Sequence, residues 1–259
     1  MIFQLDDNPY IFPDPHYGEE DGLIAVGGDL SPERLATAYS HGIFPWYGFK
    51  ENEDILWWCP LDRFVIFPSE IHISHSKRQM LNKGQYEVTI NQAFDEVIKH
   101  CSMADQRNQQ CGAWLGSDMI KAYTEMHNLG LAASVEVWEK DENANEGENE
   151  NTNKIANENT NEPSTVVIVN NNIPPKSPQP NRRLVGGLYG IHLGKNFFGE
   201  SMFSLAPSAS KLALIHLAQL LEPYGGLIDC QFETPHLKTM GGRHISYEEY
   251  MEYLTEEDE

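Results

Sequence analysis

Two strand-like runs, LVGGLYGIHL (Leu184–Leu193) and NFFGESMFS (Asn196–Ser204), stand back to back in this sequence, joined through Gly194-Lys195-Asn196. A glycine-containing connection this short between two apolar runs predicts a β-hairpin, which ties both strands into one sheet. One residue resists that reading. In strict alternation Glu200 shares a face with Phe198 and Met202, and a charge on an apolar face is costly unless something pairs with it. Glu200 is therefore a candidate for binding as well as for structure.

The rest of the chain alternates helical and strand patterns. LSPERLATAYSHG carries a Ser31 N-cap, Pro32 at the first helical position, Glu33 in the first turn and Gly42 as a stop, so it predicts a helix. NQAFDEVIKHC and SDMIKAYTEMHNLG have helical spacing, the second closed by Gly130. APSASKLALIHLAQLLEPYG predicts a helix with an apolar stripe at Leu214, Leu217, Ala218 and Leu221, and SYEEYMEYL a final helix. LAASVEVW and GLIDCQFET read as strands. Hairpin links mixed with helical crossovers predict an α+β fold with a mixed sheet.

Between SVEVW and LVGGLYG lies an Asn/Glu-rich stretch, residues 140–181, without aromatic residues. Such a composition buries too little apolar surface to offset its ordering entropy, so a disordered insertion between two strands is expected. Lys140 through Asn181 holds three basic and seven acidic residues, a net of about −4, against −21 for the whole chain. The folded part is therefore acidic too. Taken alone, that charge argues against nucleic-acid contacts, which need Lys and Arg. A site is local, however, and Lys77, Arg78 and Lys83 cluster in HISHSKRQMLNKG, where a solvated helix face and a phosphate contact are equally good readings.

The N-terminus lacks the pattern of a signal peptide, and no apolar run approaches the roughly 18 residues of a membrane span. The four cysteines form no CxxC pair, which fits reduced thiols in a cytoplasmic protein. No phosphate-cradling or dinucleotide motif occurs, and the ten histidines show no HExxH-type spacing, so neither cofactor nor metal is expected. In LIDCQFE, alternation places Asp229 and Gln231 on one strand face, roughly 6.5–7 Å apart. The pair either orients an amine and takes up its proton or simply forms a polar sheet face.

In order, GLIAVGGDLSPERLATAYSHGIFPWY, ILWWCPLDRFVIFPSEIHISHS, AYTEMHNLGLAASVEVW, LVGGLYGIHLGKNFFGESMFS, ASKLAL and LIDCQFETPHLKTMGG resemble the leucyl/phenylalanyl-tRNA–protein transferases. The resemblance implies a small N-terminal domain (about 1–60) packed on an acetyltransferase-like (GNAT) catalytic domain (61–259). It implies transfer of Leu or Phe, and by size Met, from aminoacyl-tRNA to proteins with N-terminal Arg or Lys, creating a destabilising terminus for the bacterial N-degron pathway. The coenzyme A pattern Q/RxxGxG/A is missing, which fits an aminoacyl-tRNA donor. By resemblance Asp229 and Gln231 are the catalytic pair and Glu200 meets the acceptor. Leu188, Phe197, Leu214, Leu217 and Ile228 form the amino-acid pocket. Trp46 and Trp114 lie near the 3′ adenosine; from charge clustering, contacts to the tRNA are expected to concentrate at Lys77, Arg78 and Lys83. The chain departs from the family pattern at His75, at Ala133, in CGAWL and in its acidic insertion and tail, and keeps Glu200, Asp229 and Gln231.

Overall fold

A computed structural model describes residues 1–6, 10–47, 54–108, 115–140 and 182–255. Its elements begin with β1 (Phe3–Leu5), β2 (Leu23–Gly27), α1 (Pro32–Ser40), β3 (Phe44–Tyr47), β4 (Ile55–Trp58), β5 (Asp62–Ile66) and α2 (His75–Asn82). They continue with β6 (Tyr86–Ile90), α3 (Phe94–Asn108), α4 (Ser117–Asn128), β7 (Ala132–Lys140), β8 (Arg182–Leu193) and β9 (Asn196–Ser204). The chain closes with α5 (Ala209–Leu221), β10 (Ile228–Asp229), α6 (Pro235–Lys238), β11 (Arg243–Ser246) and α7 (Tyr247–Thr255). One sheet has the order β1-β2-β4-β3 and the other β11-β5-β10-β9-β8-β7-β6. Both are mixed: β1 runs parallel to β2 and β10 parallel to β9, while the remaining neighbours are antiparallel.

Local signals set the helix ends. The Ser31 side chain accepts the Arg34 N–H at 3.4 Å, and Gly42 leaves α1 at φ +72° with its N–H on the Tyr39 carbonyl. Helix α5 differs from the single stripe its spacing predicts: Leu212, Ala213, Leu214, Ile215, Leu217 and Ala218 are all buried. It packs with Leu188, Phe197 and Ile228 on one face of the larger sheet. The opposite face packs Tyr189 and Phe198 with Val97 and Ile98 of α3, Met119 and Tyr123 of α4, and Leu35 and Tyr39 of α1. Gly186 permits the α5 approach, because a β-carbon there would collide with Ala209.

The predicted hairpin is present, with Leu193 opposite Asn196 across Gly194-Lys195. Alternation within it breaks where the register shifts. Tyr189 pairs with Ser201 but Gly190 with Gly199, which makes Glu200 the extra residue of a β-bulge. As a result Phe198 packs against Tyr39, whereas Met202 packs in the core with α5. The expectation that Phe198, Glu200 and Met202 share one face is thus corrected.

GLIDCQFET is also not a continuous strand. Ladder pairing covers Ile228 and Asp229 only, and Gln231 then turns to φ +56°, in the left-handed region. Lys140, expected in the insertion, is the last residue of β7 and pairs with Arg182 of β8. The remainder of that stretch, 141–181, lies outside the described residues. Cys59 and Cys230 are free thiols, and no helix among the described residues is long and apolar enough to cross a membrane.

Candidate active site

The bulged part of the hairpin and the short β10 converge on two adjoining chambers. The larger has a volume of about 410 Å³, within the range of small-molecule sites. Its walls include all five residues expected of the amino-acid pocket: Leu188, Phe197, Leu214, Leu217 and Ile228. Met202, Cys230, His236 and Leu237 also line it and were not expected. The first two follow from strand parity once the bulge and strand end are known; the other two lie in the short helix α6. The smaller chamber, about 120 Å³, lies between Phe44, Pro45, Trp46, Glu200, Gln231 and Phe232. Trp46, Glu200, Gln231 and Phe232 line both chambers and form the passage between them. Trp46 packs on Phe232 with ring centres 5.5 Å apart. Trp114 lies outside the described residues.

Asp229 and Gln231 are close, but not as neighbours on a strand face. The Asp229 carboxylate is fully buried and lines neither chamber. Oδ1 accepts Arg63 Nε at 2.9 Å and the Gln231 backbone N–H at 2.9 Å. Oδ2 accepts Arg63 Nη2 at 2.6 Å and the Tyr250 hydroxyl at 2.8 Å. Four donors therefore surround a carboxylate that sequence alternation would leave open to a substrate. Its bond to the Gln231 N–H closes a turn over Cys230 and holds the backbone where Gln231 lines the passage. Arg63 is equally buried, with its guanidinium 4.8 Å from the Tyr250 ring centre and 4.9 Å from that of Phe44.

Glu200 stands across the passage, half-buried, and has partners in this chain. Tyr39 donates to Oε1 at 2.6 Å and Tyr123 to Oε2 at 2.7 Å, while the two phenol oxygens lie 2.7 Å apart. Burial pushes the Glu200 carboxyl up to about 7, against the lowering effect of both phenols. Burial, followed by the charge of Glu200, raises both phenols well above the ordinary tyrosine range, so they remain donors. Burial likewise raises the Cys230 thiol, which disfavours a nucleophilic thiolate.

The basic cluster on α2 flanks the larger chamber: the charge of Lys77 acts on His236, one of its walls. Lys77 is half-buried on α2, within 3.3 Å of Ser74 Oγ, while Arg78 and Lys83 are exposed. None of the three lines either chamber.

An apolar chamber opening past a carboxylate and a carboxamide is the layout of a protein that buries an apolar group and holds a reactive polar one beside it. The family model described as leucyl/phenylalanyl-tRNA protein transferase matches residues 65–145 and 179–255. That of the family's N-terminal domain matches residues 28–61. A leucyl/phenylalanyl-tRNA–protein transferase of Nitrosomonas europaea is 44% identical over 239 residues, covering 92% of this chain and 82% of its own. Those of Anaeromyxobacter dehalogenans and Syntrophobacter fumaroxidans are 40% and 42% identical, each covering 98% of this chain and 90% of the relative. The chain belongs to the leucyl/phenylalanyl-tRNA–protein transferase family, a family of aminoacyltransferases.

Proposed function

We propose that the protein transfers Leu or Phe, and also Met, from aminoacyl-tRNA to the α-amino group of proteins beginning with Arg or Lys. The product would be a destabilising N-terminus, read in the cytoplasm by the bacterial N-degron pathway. The observation that carries this reading is the apolar chamber formed by Leu188, Phe197, Leu214, Leu217 and Ile228, opening on Glu200 and Gln231. Such walls favour an apolar side chain without a β-branch, as in Leu, Phe and Met, and reject charge by desolvation. The first 60 residues would then act as an N-terminal domain on a GNAT-like catalytic domain. Trp46 and Trp114 would pack near the terminal adenosine, with Lys77, Arg78 and Lys83 contacting the tRNA backbone.

In this reading the donor side chain enters the larger chamber and leaves its ester carbonyl at the passage. The acceptor's cationic terminus approaches Glu200 through the smaller chamber, and the Gln231 carboxamide accepts a hydrogen bond from its α-amino group. An aminoacyl ester is already activated, so holding amine and carbonyl in contact supplies much of the acceleration. Asp229 takes part by fixing Gln231, held in turn by Arg63 and Tyr250. Mixing the protein with labelled Phe-tRNA and an Arg-starting peptide should label the peptide, while an Ala-starting peptide stays unlabelled. Absence of transfer to the Arg peptide would overturn the reading.

A further inference from the structure

We propose that Glu200 is a catalytic residue: its carboxylate takes the proton from the acceptor's α-ammonium, and the freed amine then attacks the ester carbonyl. This rests on the transfer reading above and adds a chemical step to the contact assigned there.

Position supports it first. Among the described residues lining the two chambers, Glu200 is the single aspartate or glutamate, and it sits where the chambers meet. Asp229 is enclosed by four donors and lines neither chamber. Gln231 is a carboxamide, which orients an amine but holds no proton at neutral pH. His236 lines only the larger chamber, away from the passage, and burial raises the Cys230 thiol.

Proton counting supports it second. Glu200, Tyr39 and Tyr123 form a triangle with three short contacts of 2.6, 2.7 and 2.7 Å. Two phenols supply two protons, one each. With Glu200 ionised, both go to the carboxylate and the phenol–phenol contact carries none. With Glu200 protonated, the ring closes: Glu200 donates to Tyr123, Tyr123 to Tyr39, and Tyr39 back to the second carboxyl oxygen. Both charge states are therefore satisfied by turning one hydroxyl proton, that of Tyr123, with no heavy atom displaced. A group so built gains or loses a proton at little reorganisation cost.

The groups acting on this carboxyl are Tyr39 from α1, Tyr123 from α4, and the more distant charges of Asp229, which raises its pKa, and Arg63, which lowers it. Burial dominates and brings it to about 7, near the value of roughly 7.7–8.0 for a free α-amine, which suits proton transfer between them.

The step balances as follows. One ammonium proton passes to Glu200, and the nitrogen lone pair forms the new C–N bond. The bond from the carbonyl carbon to the ribose oxygen breaks, and that oxygen takes the second nitrogen proton. Glu200 releases its own proton to solvent as the products leave.

The test compares wild type with Glu200→Gln and Tyr123→Phe, using Phe-tRNA and an Arg-starting peptide at saturating concentrations across pH 6–9. Glu200→Gln should lower kcat by about 100-fold or more and replace the wild-type acid limb by one set by the acceptor's own α-amine, at roughly 7.7–8.0. Tyr123→Phe removes one donor to the ionised form and should move that limb to higher pH. Unchanged binding of a non-reactive Phe-tRNA analogue to both variants would show that the fold is intact. A raised acceptor KM with kcat within about threefold would overturn the proton-accepting role and leave the transfer reading standing. So would an unmoved limb in Tyr123→Phe. Failure of the wild type to transfer at all would instead overturn the transfer reading itself.

Discussion

Replacing Arg63 by Met should unfold much of the organisation beneath the passage, and the structure sets the magnitude. The substitution removes two charge-assisted hydrogen bonds, at 2.9 and 2.6 Å, from a carboxylate that is fully buried. Asp229 keeps only the Tyr250 hydroxyl and the Gln231 N–H. Breaking a buried pair by removing one partner costs about 3–5 kcal/mol, a large part of a total stability of about 5–15 kcal/mol. For a chain of this size that corresponds to a fall in Tm of about 6–20 °C. Urea unfolding followed by tryptophan fluorescence measures the loss. The double variant Arg63→Met with Asp229→Asn removes both charges while Asn keeps an acceptor for the Gln231 N–H. Its loss should fall short of the sum of the two single losses by about 2 kcal/mol or more. A single-variant loss below about 1 kcal/mol, or full additivity in the double variant, would refute the claim that this ion pair is the support under Gln231.

Three other outcomes are expected. Gln231→Gly should leave stability unchanged or raise it by up to about 1 kcal/mol, because φ +56° suits glycine. Its transfer rate should still fall at least about tenfold, which peptide-labelling kinetics would show. Leu217→Phe narrows the larger chamber, so kcat/KM for a Phe donor should drop about tenfold relative to a Leu donor in paired assays. Joining Lys140 to Arg182 by Asn-Gly in place of residues 141–181 should keep transfer within about threefold, since those ends already face each other across the sheet. An inactive or aggregated product would make the removed stretch a structural part of the protein.

Features governed by neighbours along the chain were legible. The Ser31 cap, Pro32 and Gly42 bound α1 by interactions spanning only a few residues. The short Gly194-Lys195 connection likewise specified the β8–β9 pairing without help from elsewhere. The five chamber residues were identified through resemblance, because nothing in their local pattern separates a pocket wall from any other core position. The anomaly at Glu200 was visible too, as a charge in an apolar run.

The partners of that charge were not. Tyr39 and Tyr123 stand 161 and 77 residues away, and Arg63 stands 166 residues from Asp229. Alternation also misplaced Glu200 and Gln231, because it presumes an unbroken strand and the chain departs from one at both positions. The sequence by itself determined the elements, the hairpin and the presence of a carboxylate that needed explaining. Tertiary structure decided which carboxylate is enclosed and which faces the chambers. Burial and hydrogen-bond saturation are properties of what packs around a group, and those neighbours come from distant parts of the chain.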